Sequence, residues 1–463
     1  MNQSSKYLKI FKEKYLFITV ILIVSLIKGL IWISIIPIFQ TPDEPGHFCY
    51  VQKIAEKNKL FLNKTDNYLT QEIILGFMYS DALKMSKSRI NEYKFIDGEV
   101  GKYEDKFNEI NTEARNKTSI FKEQYVPVIY PPLYYIYSSI PYYMFYSNSL
   151  IVRIFAVRIF SLLLGLLTIF VIYKIAELVF VGNKYIAGLL AILISFQPMF
   201  TFISSAVNSD SLHILFFTIF LYYYIKINIL KYTARDIIFL ILVIGLGVFT
   251  KQHFILSLMI LLISAVFFIK VKAKKKIIVI ASVLLLFILT FIFITRNYPY
   301  HIFEKPIKDF WKYLFTQLFP FLYSRFPSTF FGNFGWTNVP VPDFYLKILI
   351  CLFLFFLFLY IIDIGKSIFN KKSFLTLRTH IVLLVPIIIY SASLIYLDFN
   401  INVGLQGRYF FPVISLIYIC LVSGFLSIVP KKVRLNIIFI TAIIAVSFNI
   451  ICLITVIIPR YYQ

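Results

Sequence analysis

Long apolar runs separated by short polar clusters dominate the chain. The first extends from about Tyr15 to Phe39, and others begin near Val152, Tyr185, Ser211, Asp236, Gln252, Ile277, Tyr345, Ile381, Phe410 and Leu435. A run of roughly 20 apolar residues crosses a hydrocarbon core of about 30 Å as a helix. The pattern therefore predicts an all-α polytopic membrane protein. Basic clusters punctuate the runs: Lys226/Lys231/Arg235, Lys270 to Lys276, Lys366 to Arg378, and Lys431/Lys432/Arg434. Such clusters hold cytoplasmic loops in place, so each is assigned inside, together with an N-terminus that carries Lys6, Lys9, Lys12 and Lys14. The first run is longer than a signal-peptide core, and no small-x-small site follows it.

The stretch 130–146 decides the count of spans. It is rich in tyrosine and contains Pro131, Pro132 and Pro141. Tyrosine favours the headgroup boundary and proline breaks helices. Read as an interfacial helix, it leaves about 11 spans in a single integral membrane domain, 1–463, with every basic cluster inside. Three outer segments result: a large first loop, 40–129, with amphipathic helices; a second, 297–344; and a short turn at Leu405–Arg408. Asn208 to Asp210, Lys251 and His253 fall on the same outer side.

Composition agrees. Of 463 residues, 59 % are hydrophobic and 15 % charged, with mean hydropathy +0.79. A soluble domain carries about 25 % charge. The net charge of +23 is orientation charge and does not imply nucleic acid. Fourteen of the 23 acids lie between Asp43 and Glu123, which marks that loop as solvated; acids elsewhere are isolated and therefore notable. Cys49, Cys351, Cys420 and Cys452 show neither metal spacing nor an obvious pairing.

Four features carry candidate chemistry. Thr41-Pro42-Asp43-Glu44-Pro45-Gly46-His47-Phe48 follows the first span. Two prolines stiffen it, and a carboxylate at the lipid boundary loses solvation, which raises its pKa and suits a general base. The same residues also suit a helix start with Thr41 as N-cap, so both readings stand. His47 lies four residues beyond Asp43, within reach of a shared metal or as an interfacial ring. Asn208-Ser209-Asp210 places a second acid at a span end, where ionisable groups are functional candidates or caps. Lys251 and Arg408 are cations on the outer face, disfavoured there unless they meet an anion or snorkel to headgroups. Phe331-Gly332-Asn333-Phe334-Gly335-Trp336 reads as an aromatic lid against the membrane. Lys28, inside the first span, is given no role. No nucleotide loop, HExxH or GxSxG motif is present.

Several of these segments resemble the GT-C superfamily of membrane glycosyltransferases, which includes protein O-mannosyltransferases and lipid A aminoarabinose transferases. TPDEPGHF (41–48) resembles the acidic motif after the first span. YPPLYY (130–135), VRIFSLLLGLLTIFVIYKIA (157–176), FQPMFTFISSAVNSDSL (196–212) and GLGVFTKQHF (245–254) resemble the elements that follow it in order. The form PDExxHF, with FGNFGW and QGRYFFP later, is most similar to a prokaryotic group within the superfamily. The resemblance implies an inverting transfer of a hexosyl or pentosyl group from a polyprenyl-phosphate donor to a glycan, lipid or protein acceptor at the outer face of the plasma membrane. It implies Asp43 as base with Glu44 beside it, Asp210 as second acid, and Lys251 and Arg408 on the donor phosphate. His47, Asn208 and His253 are auxiliary candidates. It names no certain cofactor and leaves a divalent metal open. Two rivals remain: a lipid-linked polysaccharide polymerase or ligase, and a non-enzymatic transporter of a lipid-linked sugar. The scarcity of outer arginines disfavours the first, and the lack of paired interrupted helices disfavours the second.

Overall fold

The computed structural model describes residues 3–57, 68–79, 130–267, 273–297, 309–369, 373–401 and 403–462. Much of the first outer loop and the start of the second lie outside these residues. The described residues form a helical bundle. Its first members are α1 (Gln3–Ile35), α2 (Glu44–Lys57), α3 (Gln71–Tyr79), α4 (Leu133–Met144), α5 (Leu150–Val179), α6 (Lys184–Ser195) and α7 (Pro198–Ser204). There follow α8 (Asp210–Ile229), α9 (Ala234–Val248), α10 (Leu256–Phe267) and α11 (Ala273–Asn297). After a bent helical stretch at 310–331 come a two-stranded hairpin (Asn333–Phe334 with Val339–Pro340), α12 (Asp343–Ile368), α13 (Leu377–Ile401), α14 (Ile414–Ile428) and α15 (Arg434–Cys452).

Each apolar run is helical, and seven helices among the described residues are long and apolar enough to cross a membrane. The bent pair α6 and α7 makes an eighth if taken as one span. Two further apolar helices, Ala234–Val248 and Gln252–Phe267, are shorter, as is Ile277–Ile292, the apolar part of α11. At ~1.5 Å per residue, 15 or 16 residues reach only ~23 Å. The protein is multi-pass, but the expected eleven crossings exceed what these lengths establish. The Tyr-rich stretch forms α4, whose 12 residues reach about 18 Å, too short to cross. Outward faces carry exposed Ile23, Ile27, Leu242, Phe358 and Ile443, as lipid contact requires.

The break between α6 and α7 frees backbone groups that lipid cannot satisfy. The two axes bend by 68°, and Gln197 caps α7 by accepting from the Phe200 amide at 2.5 Å. Lys28 of α1 donates to the Ser195 carbonyl and, at 2.9 Å, to Thr201 Oγ1. That gives the lysine inside the first span a structural place. Asn449 of α15 donates to the Phe196 carbonyl at 3.0 Å and accepts from Trp32 Nε1 at 3.1 Å. The first and last described spanning helices are thus tied to the same interruption.

Asn449→Leu keeps the branched shape but removes the bonds to Trp32, Phe196 and Thr201, leaving the Trp32 indole N–H and the Phe196 carbonyl unpaired in a buried setting. The expected loss is about 1–3 kcal/mol per orphaned group, measurable as a lowered midpoint of denaturation in detergent.

Candidate active site

The loop after α1 is held in a conformation that side chains rarely adopt. Phe39 and Asp43 have φ of 61° and 64°, a left-handed region that aspartate tolerates better than phenylalanine. What holds them is Glu44. Its side chain is fully buried and accepts from Arg158 Nε at 2.8 Å and Nη2 at 2.6 Å. It also accepts from the Phe39 amide at 2.8 Å and the Val207 amide at 3.1 Å. Arg158, equally buried, donates further to the Ile36 and Pro37 carbonyls at 2.7 and 2.9 Å. Trp336 of the hairpin donates from Nε1 to the Phe39 carbonyl at 3.0 Å. Glu44 is absent from the cavity wall described below and sits inside a satisfied ion pair; the structure places it behind Asp43. Thr41 does not cap: its Oγ1 has no partner among the described residues. Arg158 lay in plain sight, an arginine within an apolar run, and that is the signal by which it could have been found.

Asp43, by contrast, opens into a cavity of about 290 Å³. Asn208, Asp210, Lys251, His253 and Arg408 line the same cavity, as does His47. These residues come from α2 and its approach, the α7–α8 junction, the turn after α9, and the Gly407–Val413 3-10 helix. Lys251 forms an ion pair with Asp210 and lies 4.9 Å from the Tyr130 ring centre. Asn208 Oδ1 accepts from the Asp210 amide at 2.8 Å, so it fixes the start of α8. Arg408 Nη2 lies 3.9 Å from Asp43 Oδ2, and its Nε and Nη1 have no hydrogen-bond partner among the described residues. Gly407 is what allows this approach. A Cβ there would fall 2.5 Å from the Phe326 carbonyl oxygen and the Phe330 amide nitrogen, and the Gly407 amide donates to Thr329 Oγ1 at 2.6 Å.

The cavity sets the ionisation of its walls. The Asp43 side chain is 60 % exposed, and the protein around it nonetheless pushes its pKa up. Arg408 opposes this, and Asp210 adds to it. Burial lowers the His47 pKa to about 3, with Lys251 contributing in the same direction. His47 is therefore neutral near pH 7. Its Nδ1 lies 2.9 Å from the Tyr135 hydroxyl, and its ring stacks on Tyr130 and Tyr135. Among the described residues no group of three or more His, Cys, Asp or Glu side chains converges to hold a metal. Both cavity carboxylates face cations. Tyr130, His213, Tyr390 and Tyr409 also line the cavity; nothing in their local sequence distinguished them from neighbouring aromatic residues.

Breaking the Glu44–Arg158 pair from one side strands a buried charge. Arg158→Met should cost about 3–5 kcal/mol, whereas Arg158→Met with Glu44→Gln together should cost less than the single change. Denaturation in detergent across this double-mutant cycle measures the difference.

Comparison with known proteins follows from this geometry. ArnT from Cupriavidus metallidurans in the apo state is similar with a TM-score of 0.48 and 11 % identity, over 90 % of this chain and 60 % of that one. The Archaeoglobus fulgidus oligosaccharyltransferase in its apo form is similar with a TM-score of 0.49 and 15 % identity, over 96 % and 55 %. The archaeal oligosaccharyltransferase AglB from the same organism, in complex with an inhibitory peptide and a dolichol-phosphate, is similar with a TM-score of 0.40 and 17 % identity, over 72 % and 47 %. The chain thus spans about 55–60 % of the length of the first two. No curated protein matches it. The family described as "Predicted membrane protein (DUF2142)" matches residues 26–417, and the chain belongs to that family.

Proposed function

We propose that the chain is an inverting GT-C-type glycosyltransferase that moves a sugar from a polyprenyl-phosphate donor to an acceptor at the outer membrane surface. The N-terminus is then cytoplasmic and the cavity opens outside. The observation that carries this reading is Arg408. It is a 5 %-exposed cation with unfilled N–H donors, facing a carboxylate inside a cavity. A buried guanidinium with spare donors matches a phosphate oxyanion. Lys251 contributes less, because its ammonium is already committed to Asp210. The resemblance in motif order noted above points the same way.

The chemistry needs few parts. The acceptor hydroxyl attacks the anomeric carbon as the bond from that carbon to the phosphate oxygen breaks, and its proton passes to Asp43. The electron pair leaves on the phosphate, where Arg408 and Lys251 offset the growing charge. A phosphate is a good leaving group, so a base matters more than an acid. Asp43 is suited to be that base because its raised pKa makes it a stronger acceptor and the strained loop holds it still. Direct displacement inverts the anomeric centre. Glu44 acts here through Asp43, as the group that positions it, and Asp210 holds Lys251 toward the phosphate.

Asp43→Asn keeps the shape and removes the base. Turnover with a polyprenyl-phosphate-sugar should fall about 10²–10⁴-fold with donor binding retained. Full activity in that variant would end the catalytic reading of Asp43.

Loss of activity on the acid side should also follow Asp43. Its pKa is raised, so the acid limb of kcat/KM lies above the usual carboxylate range near 4. Arg408 lowers that pKa, so Arg408→Gln should move the limb to higher pH as well as weakening donor binding. A pH–rate profile of the two proteins checks the sign.

A further inference from the structure

The cavity contains a polar pair that the transfer step leaves idle. His213 lies one turn below Asp210 on α8, and Tyr390 lies on α13; both line the cavity that holds Asp43. They are 2 % and 3 % exposed. His213 Nε2 is 3.3 Å from the Tyr390 hydroxyl, and His213 Nδ1 has no hydrogen-bond partner among the described residues. No carboxylate pairs with His213 among those residues. Behind the pair, Phe217 packs on Tyr390 with ring centres 5.1 Å apart, and Phe254 meets His213 at 5.9 Å. Along α13 from Tyr390, Leu394, Leu397 and Ile401 continue the same wall at helical spacing, reaching about 16 Å further toward the end of the helix.

We infer that His213 and Tyr390 form a hydroxyl-recognition subsite that seats the sugar ring of the donor. This deepens the transferase reading and rests on it. An imidazole that shares one nitrogen with a tyrosine keeps one position for a ligand, a donor or an acceptor according to tautomer. A hydroxyl is both donor and acceptor and completes either tautomer, whereas a carboxylate or an ammonium completes only one. Aromatic rings pack behind the pair, and sugar rings stack well on such faces. The apolar wall from Leu394 to Ile401 lines the way from the pair to the outer mouth. The cavity thus divides by chemistry: hydroxyls at the His213–Tyr390 end and phosphate at Arg408. A site built to bond a hydroxyl rejects a ligand lacking it, because its own buried groups are then left unpaired.

The test separates the sugar from the phosphate. The full-length protein in nanodiscs is titrated with a short-chain polyprenyl phosphate, and with the same lipid carrying glucose, mannose, N-acetylglucosamine or arabinose in turn. The parent protein should bind one sugar-bearing lipid more tightly than the bare lipid phosphate. His213→Ala should weaken that sugar-bearing lipid about ten- to hundredfold, with the bare lipid phosphate unchanged. Tyr390→Phe, which keeps the ring, should lose part of the same discrimination, and His213→Gln should restore part of it. Equal weakening of both ligands in His213→Ala overturns the inference by making the residue structural. So does a parent protein that binds the bare lipid phosphate as well as every sugar-bearing one, an outcome that leaves the phosphate site at Arg408 standing. A parent protein that binds neither class removes the donor reading, and this inference with it.

Discussion

The buried ion pair of Glu44 and Arg158 is the contact on which the rest of the site depends. It takes two charges fully out of water, and such pairs repay their desolvation only when the remaining donors and acceptors are also satisfied. Here they are. Glu44 accepts two backbone amides besides the guanidinium, and Arg158 donates to carbonyls at the end of α1. The contact joins three places distant in sequence: the loop from the exit of the first helix to the start of α2, Arg158 on α5, and Val207 just before Asp210. It therefore sets the relation between the two carboxylates of the cavity without belonging to the cavity. A hydrophobic replacement of similar volume would fill the space but leave that relation unspecified.

Much of the fold was legible because lipid leaves few choices. Unbroken apolar runs of this length must be helical, since only a helix satisfies its backbone in hydrocarbon within a single segment, and all eleven runs are. What pattern alone did not supply was length. Hydropathy marks where a run begins, but α9 is ended by the turn at Phe249–Lys251, and the short helix after it starts from a 3-10 turn. The site divided the same way. Asp43, Asp210, Lys251 and Arg408 stood out as polar residues in an apolar chain, and they do share one cavity. Glu44 stood out equally and turned inward, because a carboxylate beside another cannot be assigned a direction until its cation is known. That cation, 114 positions away, is an arginine within an apolar run, a visible signal that does not name its partner. His213 and Tyr390 were illegible for a simpler reason: a histidine and a tyrosine on a buried helix face look the same whether they meet a ligand or each other.

The four charged groups of the cavity are not equivalent, and the difference follows from partner geometry. Lys251 and Asp210 are in direct contact, so each largely cancels the other's charge. Arg408 and Asp43 are 3.9 Å apart, with the guanidinium's other donors unused. One pair is closed and one is open. Gly407 is what keeps the second pair open, because its backbone packs against Phe326 and Phe330 where any side chain would push the segment, and Arg408 with it, away from the wall.

An open pair inside a cavity is costly unless something is meant to enter it. The protein around the partly exposed Asp43 raises its pKa, while Arg408 and Lys251 restrain the rise, so the carboxylate is held between two tendencies. An anion arriving at Arg408 would cancel the cation's effect and leave Asp43 a better proton acceptor than in the empty site. On the proposed reading, the donor phosphate is that anion. Binding the donor would then itself strengthen the base that the acceptor hydroxyl needs, and the order of events, donor before proton transfer, would be built into the electrostatics of four side chains. The left-handed backbone at Asp43 belongs to the same logic. A residue that must stay beside a cation without closing on it needs a main chain that cannot relax, and the contacts of Glu44 and Trp336 with Phe39 deny it that freedom.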